Sequence, residues 1–272
     1  MSGFREAVRS AGRIVVKVGS SSVSGDNRGQ IDPLVDALAA AHQRGVEVIL
    51  VSSGAIATAL PFLDLDGRPT DLATQQAAAA VGQNVLMWRY QTSLDRFPII
   101  AGQVLLTASD LENPTPRGNA KRAMERLLDL RILPIVNEND TVATHEIRFG
   151  DNDRLAALVS QLVEADLLVL LSDVDALYTR PPSEPGARPI AVVPADDDLA
   201  GVEIGDIGAA GVGTGGAGTK IAAAKLAAAA GTPVVLTSTG NVAAALDGEM
   251  VGTWFEAAPR PATPTGSIPT VD

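Results

Sequence analysis

The stretch Arg13-Ile-Val-Val-Lys-Val-Gly19 is short, almost continuously apolar and rich in β-branched side chains. Such a run suits a central parallel strand covered on both faces. Lys17 sits inside it, near its carboxyl end. A buried ammonium is costly unless it is paired. Two readings are open. The lysine faces a phosphate at the carboxyl edge of a sheet, where ligands of open α/β sheets gather, or it snorkels from an edge strand. Gly19-Ser-Ser-Ser22 follows as a small, donor-rich turn.

Outward from this strand the chain alternates. Asp32 to Gln43 has a helical pattern, with Asp32 expected as N-cap, Pro33 as first helical residue and Gly45 as terminator. Val46 to Val51 is the next strand, so residues 13–51 form a βαβ unit. Ser52-Ser-Gly-Ala-Ile56 is again a glycine turn after a strand, with hydroxyls suited to an anion or carboxylate. His42 is expected on the solvated helix face, in a structural role. Residues 71–95 are helical, 99–106 strand-like. The two prolines of Asp110 to Arg117 predict a loop, followed by an amphipathic helix over Gly118 to Leu130. Arg131 to Val136, Asp166 to Leu171 and Thr232 to Thr237 are further buried strands, and Leu155 to Ala165 is a helix. Residues 260–272, rich in Pro and Thr, are expected to be a disordered tail. The alternation predicts an α/β fold, a three-layer αβα sandwich with a mostly parallel central sheet.

Polar or glycine clusters follow the strands. Asn137-Glu-Asn-Asp-Thr141 is dense enough for a site, although an Asx turn is the plainer reading. Gly150-Asp-Asn-Asp-Arg154 opens a helix; Asp151 can cap it, which leaves Asn152 and Asp153 without a structural reason. Ser172-Asp173 follows the strand ending at Leu171. The longest cluster is Gly205 to Lys220, in which seven of the first fourteen residues are glycine. It feeds the helix-forming run Thr219 to Ala230. A glycine loop entering a helix presents free N–H groups and the positive end of the dipole to an anion. Lys220 adds a full charge there. The loop is not a Walker A motif, because Thr219 separates Gly218 from Lys220 and Ile221 replaces the magnesium-binding hydroxyl. The bland alternative is a surface loop with a solvated lysine.

Composition narrows the classes. At 272 residues with 46% hydrophobic and 19% charged side chains, the chain can bury a large core. Without cysteine it has no disulfide framework and no thiolate zinc site. A net charge of −11, 3% aromatics and no basic run speak against nucleic acid as a partner. No apolar run approaches the roughly 18 residues of a membrane span, so a cytoplasmic protein without a membrane partner is expected.

Taken together, Val15-Val-Lys-Val-Gly-Ser20, Ser52-Ser-Gly-Ala-Ile56, Asn137-Glu-Asn-Asp140, Gly150-Asp-Asn-Asp153, Ser172-Asp173 and Gly213 to Lys220 resemble the amino acid kinase family, in family order over about residues 13–256. Asn-Glu-Asn-Asp with Gly-Asp-Asn-Asp is similar to its glutamate-phosphorylating branch. The resemblance implies ATP-dependent phosphorylation of the glutamate side-chain carboxylate, the first step towards proline, with Mg2+ carried by ATP and no protein metal site. It implies Lys17, Lys220 and Asp153 as catalytic, with Asp153 orienting the lysines. Ser53, Asp140 and Asn152 would bind L-glutamate. Lys17, Ser172, Asp173, Thr214, Gly215, Gly216, Ala217, Gly218, Thr219 and Lys220 would hold ATP. Residues 1–259 would form the kinase domain, with about 1–165 as glutamate-binding lobe and about 166–259 as ATP-binding lobe. The family also implies a homo-oligomer, proline as feedback inhibitor and a glutamyl-phosphate reductase as partner. Many relatives carry a C-terminal PUA domain, resembling RNA-binding modules, which this chain is expected to lack. The 109–117 loop and the segment after Thr239 look short or altered, which bears on inhibition and assembly.

The chemistry fits the residues. A glutamate carboxylate, with an ordinary pKa of about 4.3, is already ionised and needs no general base, so a chain with two histidines can run the reaction. Rival readings are another amino-acid or carboxylate kinase of this fold, with acetylglutamate or aspartate as acceptor, and a non-catalytic nucleotide-binding sensor. A dinucleotide dehydrogenase is disfavoured, because no Gly-x-Gly-x-x-Gly follows the first strand.

Overall fold

A computed structural model describes residues 2–65, 69–142, 151–202 and 216–260. In chain order the elements are α1 (Ser2–Ser10), β1 (Arg13–Val18), α2 (Ser20–Val23), α3 (Ile31–Gln43), β2 (Glu47–Ser52), α4 (Ala55–Ala59), α5 (Leu72–Leu94), β3 (Ala101–Leu106), α6 (Ala108–Glu112), α7 (Pro114–Asp129), β4 (Leu133–Glu138), α8 (Asp151–Leu162), β5 (Leu167–Ser172), β6 (Leu177–Tyr178), β7 (Pro189–Ile190), β8 (Val192–Val193), α9 (Ala217–Ala229), β9 (Val234–Ser238), α10 (Val242–Leu246) and β10 (Thr253–Phe255). Eight strands form one sheet in the order β3-β4-β2-β1-β5-β9-β10-β8. It is a mostly parallel αβα sandwich, as expected. The exceptions are β10, which runs antiparallel to β9, and β8, which is parallel to β10 and so runs with it.

Alternation along β1 divides the core. Ile14, Val16 and Val18 face one layer, with Leu34 and Leu38 of α3, Leu86 and Tyr90 of α5 and Leu246 of α10. Val15 faces the other, with Met124 of α7, Leu155 and Val159 of α8 and Ile221 and Ala224 of α9. Successive strand residues point to opposite faces, so Lys17 shares the face of Val15, towards α8 and α9. Lys17 pairs in register with Val51 on β2 and Leu170 on β5. β1 is therefore a central strand, and the snorkelling edge lysine is excluded. The parallel strands β1, β2, β4, β5 and β9 all end on one edge, at Val18, Ser52, Glu138, Ser172 and Ser238.

Several local expectations are corrected. The N-cap of α3 lies two positions before the expected one, at Gln30. Asp32 lies in its first turn and instead accepts from Ser93 Oγ at 2.5 Å. His42 is buried, with Nε2 3.1 Å from the carbonyl of Arg131, because Arg131 folds over that helix face; its role is still structural. The expected 110–117 loop is helical. Thr107 and Asp110 form a reciprocal capping box that starts α6, and α7 begins at Pro114. Proline is tolerated in a first turn because its missing N–H has no intrahelical partner there. The N-cap position of α8 and the expected tail at 261–272 lie outside the described residues.

Candidate functional site

Three buried ionised side chains meet at the carboxyl edge. Lys17 is 4% exposed, Lys220 7% and Asp153 1%. Lys17 Nζ lies 2.6 Å from Asp153 Oδ1, and Lys220 Nζ lies 3.4 Å from Asp153 Oδ2. Each comes from a different element: Lys17 from the penultimate position of β1, Asp153 from the first turn of α8, Lys220 from the first turns of α9. Thr219 Oγ1 is 2.9 Å from both Asp153 Oδ2 and the carbonyl of Gly216, which ties the start of α9 to the same carboxylate.

One carboxylate lies against two ammonium groups. Burial pushes the Lys17 ammonium below its ordinary value of 10.5, Asp153 opposes that shift and Lys220 adds to it. For Asp153, burial works to raise the carboxyl, but Lys17 and Lys220 outweigh it and hold it below the usual 3.8. The two directions agree physically: the carboxylate enjoys both cations, whereas Lys17 shares its counter-ion and also meets a like charge.

Beside this group lies a polar shelf at the end of β4. Asn137 is buried, and its Oδ1 accepts from the Glu138 N–H at 2.9 Å and from Asn152 Nδ2 at 3.2 Å. That leaves Asn137 Nδ2 and Asn152 Oδ1 buried without a hydrogen-bond partner among the described residues. Buried polar atoms are normally satisfied, so an unpaired donor and acceptor side by side mark a place for a polar ligand. Asp140 follows in the turn after β4 and is half-buried.

Ser53 follows β2, and its N–H donates to the carbonyl of Val18, next to Lys17, at 3.1 Å. Gly54 then adopts φ +99, a left-handed conformation that glycine reaches without strain, and starts α4. Beneath Ser53, Ser52 Oγ lies 2.8 Å from the buried Tyr90 hydroxyl and 3.1 Å from the Ser53 carbonyl. At the end of β5, Ser172 Oγ donates to Asp173 Oδ1 at 3.0 Å, and Asp173 is exposed. Gly216 caps α9, with Ala217 and Gly218 in its first turn.

The structure thus brings Lys17, Asp153, Lys220 and Thr219 into direct contact. It places Asn152 against Asn137, and Ser53 and Ser172 on the same strand edge. Thr214 and Gly215 lie outside the described residues. Sequence pattern marks the Asn137 to Thr141 cluster without distinguishing Asn137; its position at the end of β4 is the signal that does so. Thr239 and Ser22, hydrogen-bonded to one another at 2.8 Å, carry no motif.

Buried lysines at the carboxyl edge of a mostly parallel sheet define an α/β protein with an anion-binding edge. The family model described as the amino acid kinase family matches residues 12–238. The chain belongs to that family. Two relatives named Glutamate 5-kinase come from Leifsonia xyli subsp. xyli, 73% identical over 97% of both chains, and Clavibacter michiganensis subsp. michiganensis, 74% identical over 94% of this chain and 98% of that protein. Among solved structures, a carbamate kinase from Giardia lamblia bound to AMP-PNP superposes with a TM-score of 0.67 at 16% identity, covering 92% of this chain and 99% of that one; it shares the fold. No helix among the described residues is long and apolar enough to cross a membrane.

Proposed function

We infer that this chain transfers the γ-phosphoryl group of ATP to the side-chain carboxylate of L-glutamate, giving L-glutamyl 5-phosphate and ADP, the opening step of proline synthesis. The observation that carries the mechanism is the convergence of Lys17 and Lys220 on one buried carboxylate. The relatives' shared name supports the choice of acceptor.

An ionised glutamate oxygen attacks Pγ, the bond from Pγ to the β-phosphate oxygen breaks, and ADP leaves with that electron pair. No proton has to be removed from the nucleophile. The chain's task is alignment and charge neutralisation. Lys17 and Lys220 hold the oxygens of the migrating group; Asp153 keeps both ammoniums aimed and charged. Ser53, Asp140 and Asn152 hold glutamate, with the free amide atoms of Asn137 and Asn152 facing it. Ser172, Asp173 and the 214–220 segment hold the nucleotide. About residues 1–165 then serve the acceptor side and 166–259 the nucleotide side. Mg2+ would come with ATP and screen charge on its phosphates. The product is an acyl phosphate, open to attack by water, which is the chemical reason to propose hand-over to a reductase.

The test is ATP turnover with Mg2+ against L-glutamate, L-aspartate and N-acetyl-L-glutamate, with the acyl phosphate trapped by hydroxylamine. Glutamyl hydroxamate should form, with ADP released in step. Equal trapping from either other acceptor, or nucleotide binding without hydroxamate, would overturn the assignment.

A further inference from the structure

Thr239 has no part in the site described so far. It follows β9 directly and opens a one-turn 3-10 segment, Thr239–Asn241. It is buried, and so are the two residues it touches, Ser22 and Ser172. Its Oγ1 lies 2.8 Å from Ser22 Oγ and 3.3 Å from the carbonyl oxygen of Ser172. A hydroxyl has one hydrogen to give. Both contacts are satisfied when Ser22 donates to Thr239 and Thr239 donates to the Ser172 carbonyl.

This relay joins three segments that are distant in sequence. Ser22 belongs to α2, the turn that follows β1. The Gly19 backbone at its start runs beside the reacting cation: a Cβ at residue 19 would lie 3.8 Å from Lys17 Nζ. α2 is four residues long, and its N-cap, Gly19, has no side chain to cap it. Its internal bonds, from Ser24 Oγ to the Ser20 carbonyl and from Asn27 Nδ2 to the Ser21 carbonyl, keep its shape but do not fix it to the sheet. Ser172 ends β5 on the side assigned to the nucleotide.

We propose that Thr239 is a positioning residue for phosphoryl transfer: its hydroxyl clamps the Gly19 to Val23 turn beside Lys17 onto the Ser172 end of β5, fixing the nucleotide side relative to the phosphoryl-holding lysine. The proposal rests on the phosphotransfer reading. It does not involve the glutamate shelf at Asn137 and Asn152, and that selectivity is what a test can see.

The experiment compares Thr239→Val, which keeps the shape and removes the hydroxyl, with Thr239→Ser, which keeps the hydroxyl, and with Ser22→Ala. Steady-state kinetics for each substrate are measured beside thermal melting. Thr239→Val should lower kcat/KM for ATP by about tenfold or more with KM for glutamate within about twofold of the parent. Thr239→Ser should recover most of the loss. Ser22→Ala should reproduce the Val effect, and the double variant should be no worse than either single one, as expected for members of one network. The proposal is overturned if Thr239→Val, or Ser22→Ala should the valine variant not fold, keeps kcat/KM for ATP within about twofold. It is equally overturned if Thr239→Ser is as impaired as Thr239→Val, which would mark a packing residue. Failure of the underlying reading looks different: the unaltered chain would then make no acyl phosphate.

Discussion

Lys17 and Lys220, one on the central strand and one on the ninth helix, lie against opposite oxygens of the Asp153 carboxylate, at 2.6 and 3.4 Å. The arrangement keeps two cations together in a buried place. On the proposed reading a migrating phosphoryl group brings negative charge to both of them in the transition state, which is where such preorganised charges act.

Asp153 should therefore matter to stability as well as turnover. Asp153→Asn leaves two buried ammoniums facing a neutral amide. Breaking a buried ion pair from one side costs on the order of 3–5 kcal/mol, so melting in the absence of nucleotide should fall clearly, and turnover with it. An Asn variant that melts like the parent would show that the ammoniums are already balanced by other groups.

The pH dependence has a definite sign. Lys17 in the folded chain titrates below its ordinary 10.5. Between the folded value and 10.5 the unfolded chain binds more protons, so this group's contribution makes stability rise with pH there. Over the same window the site loses the charge it needs. Turnover should decline on an alkaline limb that starts below 10.5 without Lys17 contributing any loss of stability. Lys17→Arg, whatever its absolute rate, should move that limb upward. Asp153, held below 3.8, contributes stability that is present above 3.8 and lost as pH falls through its folded value. Rate profiles paired with melting curves check both limbs.

Gly82 on α5 tests how the Ser53 turn is held. A Cβ there would sit 1.7 Å from the Ala55 carbonyl oxygen at the start of α4. Since that atom is backbone, α4 and α5 must separate. Gly82→Ala should destabilise the chain by roughly 1–3 kcal/mol, the usual range for overpacking. It should also raise KM for glutamate more than KM for ATP, because Ser53 and Gly54 lead into α4. Unchanged melting and unchanged KM would mean that the two helices yield freely.

Much of this was readable before the structure. Apolar β-branched runs interrupted by polar or glycine clusters placed the strands at Lys17, Val51, Leu171 and Thr237 and the candidate site residues near their carboxyl ends. What pattern could not supply was position across the sheet. A central and an edge β1 share one periodicity, and only pairing with both Val51 and Leu170 separates them. Pro114 and Pro116 looked like breakers because a breaker and a first-turn proline are the same residue. His42 obeyed the helical period, but its cover, Arg131, arrives from a distant segment. The meeting of Lys17, Asp153 and Lys220 was expected from the family resemblance, not from spacing. Thr239 was invisible because both its partners are remote in sequence.

The most direct measurement is a double-mutant cycle on Lys17 and Lys220, read as glutamyl hydroxamate formation with folding checked by circular dichroism. Each single alanine variant should stay folded and lose on the order of 100- to 1,000-fold in turnover, by analogy with a lost preorganised charge donor. The double variant should fall far short of the product of the two losses, because the pair acts as a unit. A folded Lys220→Ala or Lys17→Ala chain that turns over within a few-fold of the parent would contradict the account.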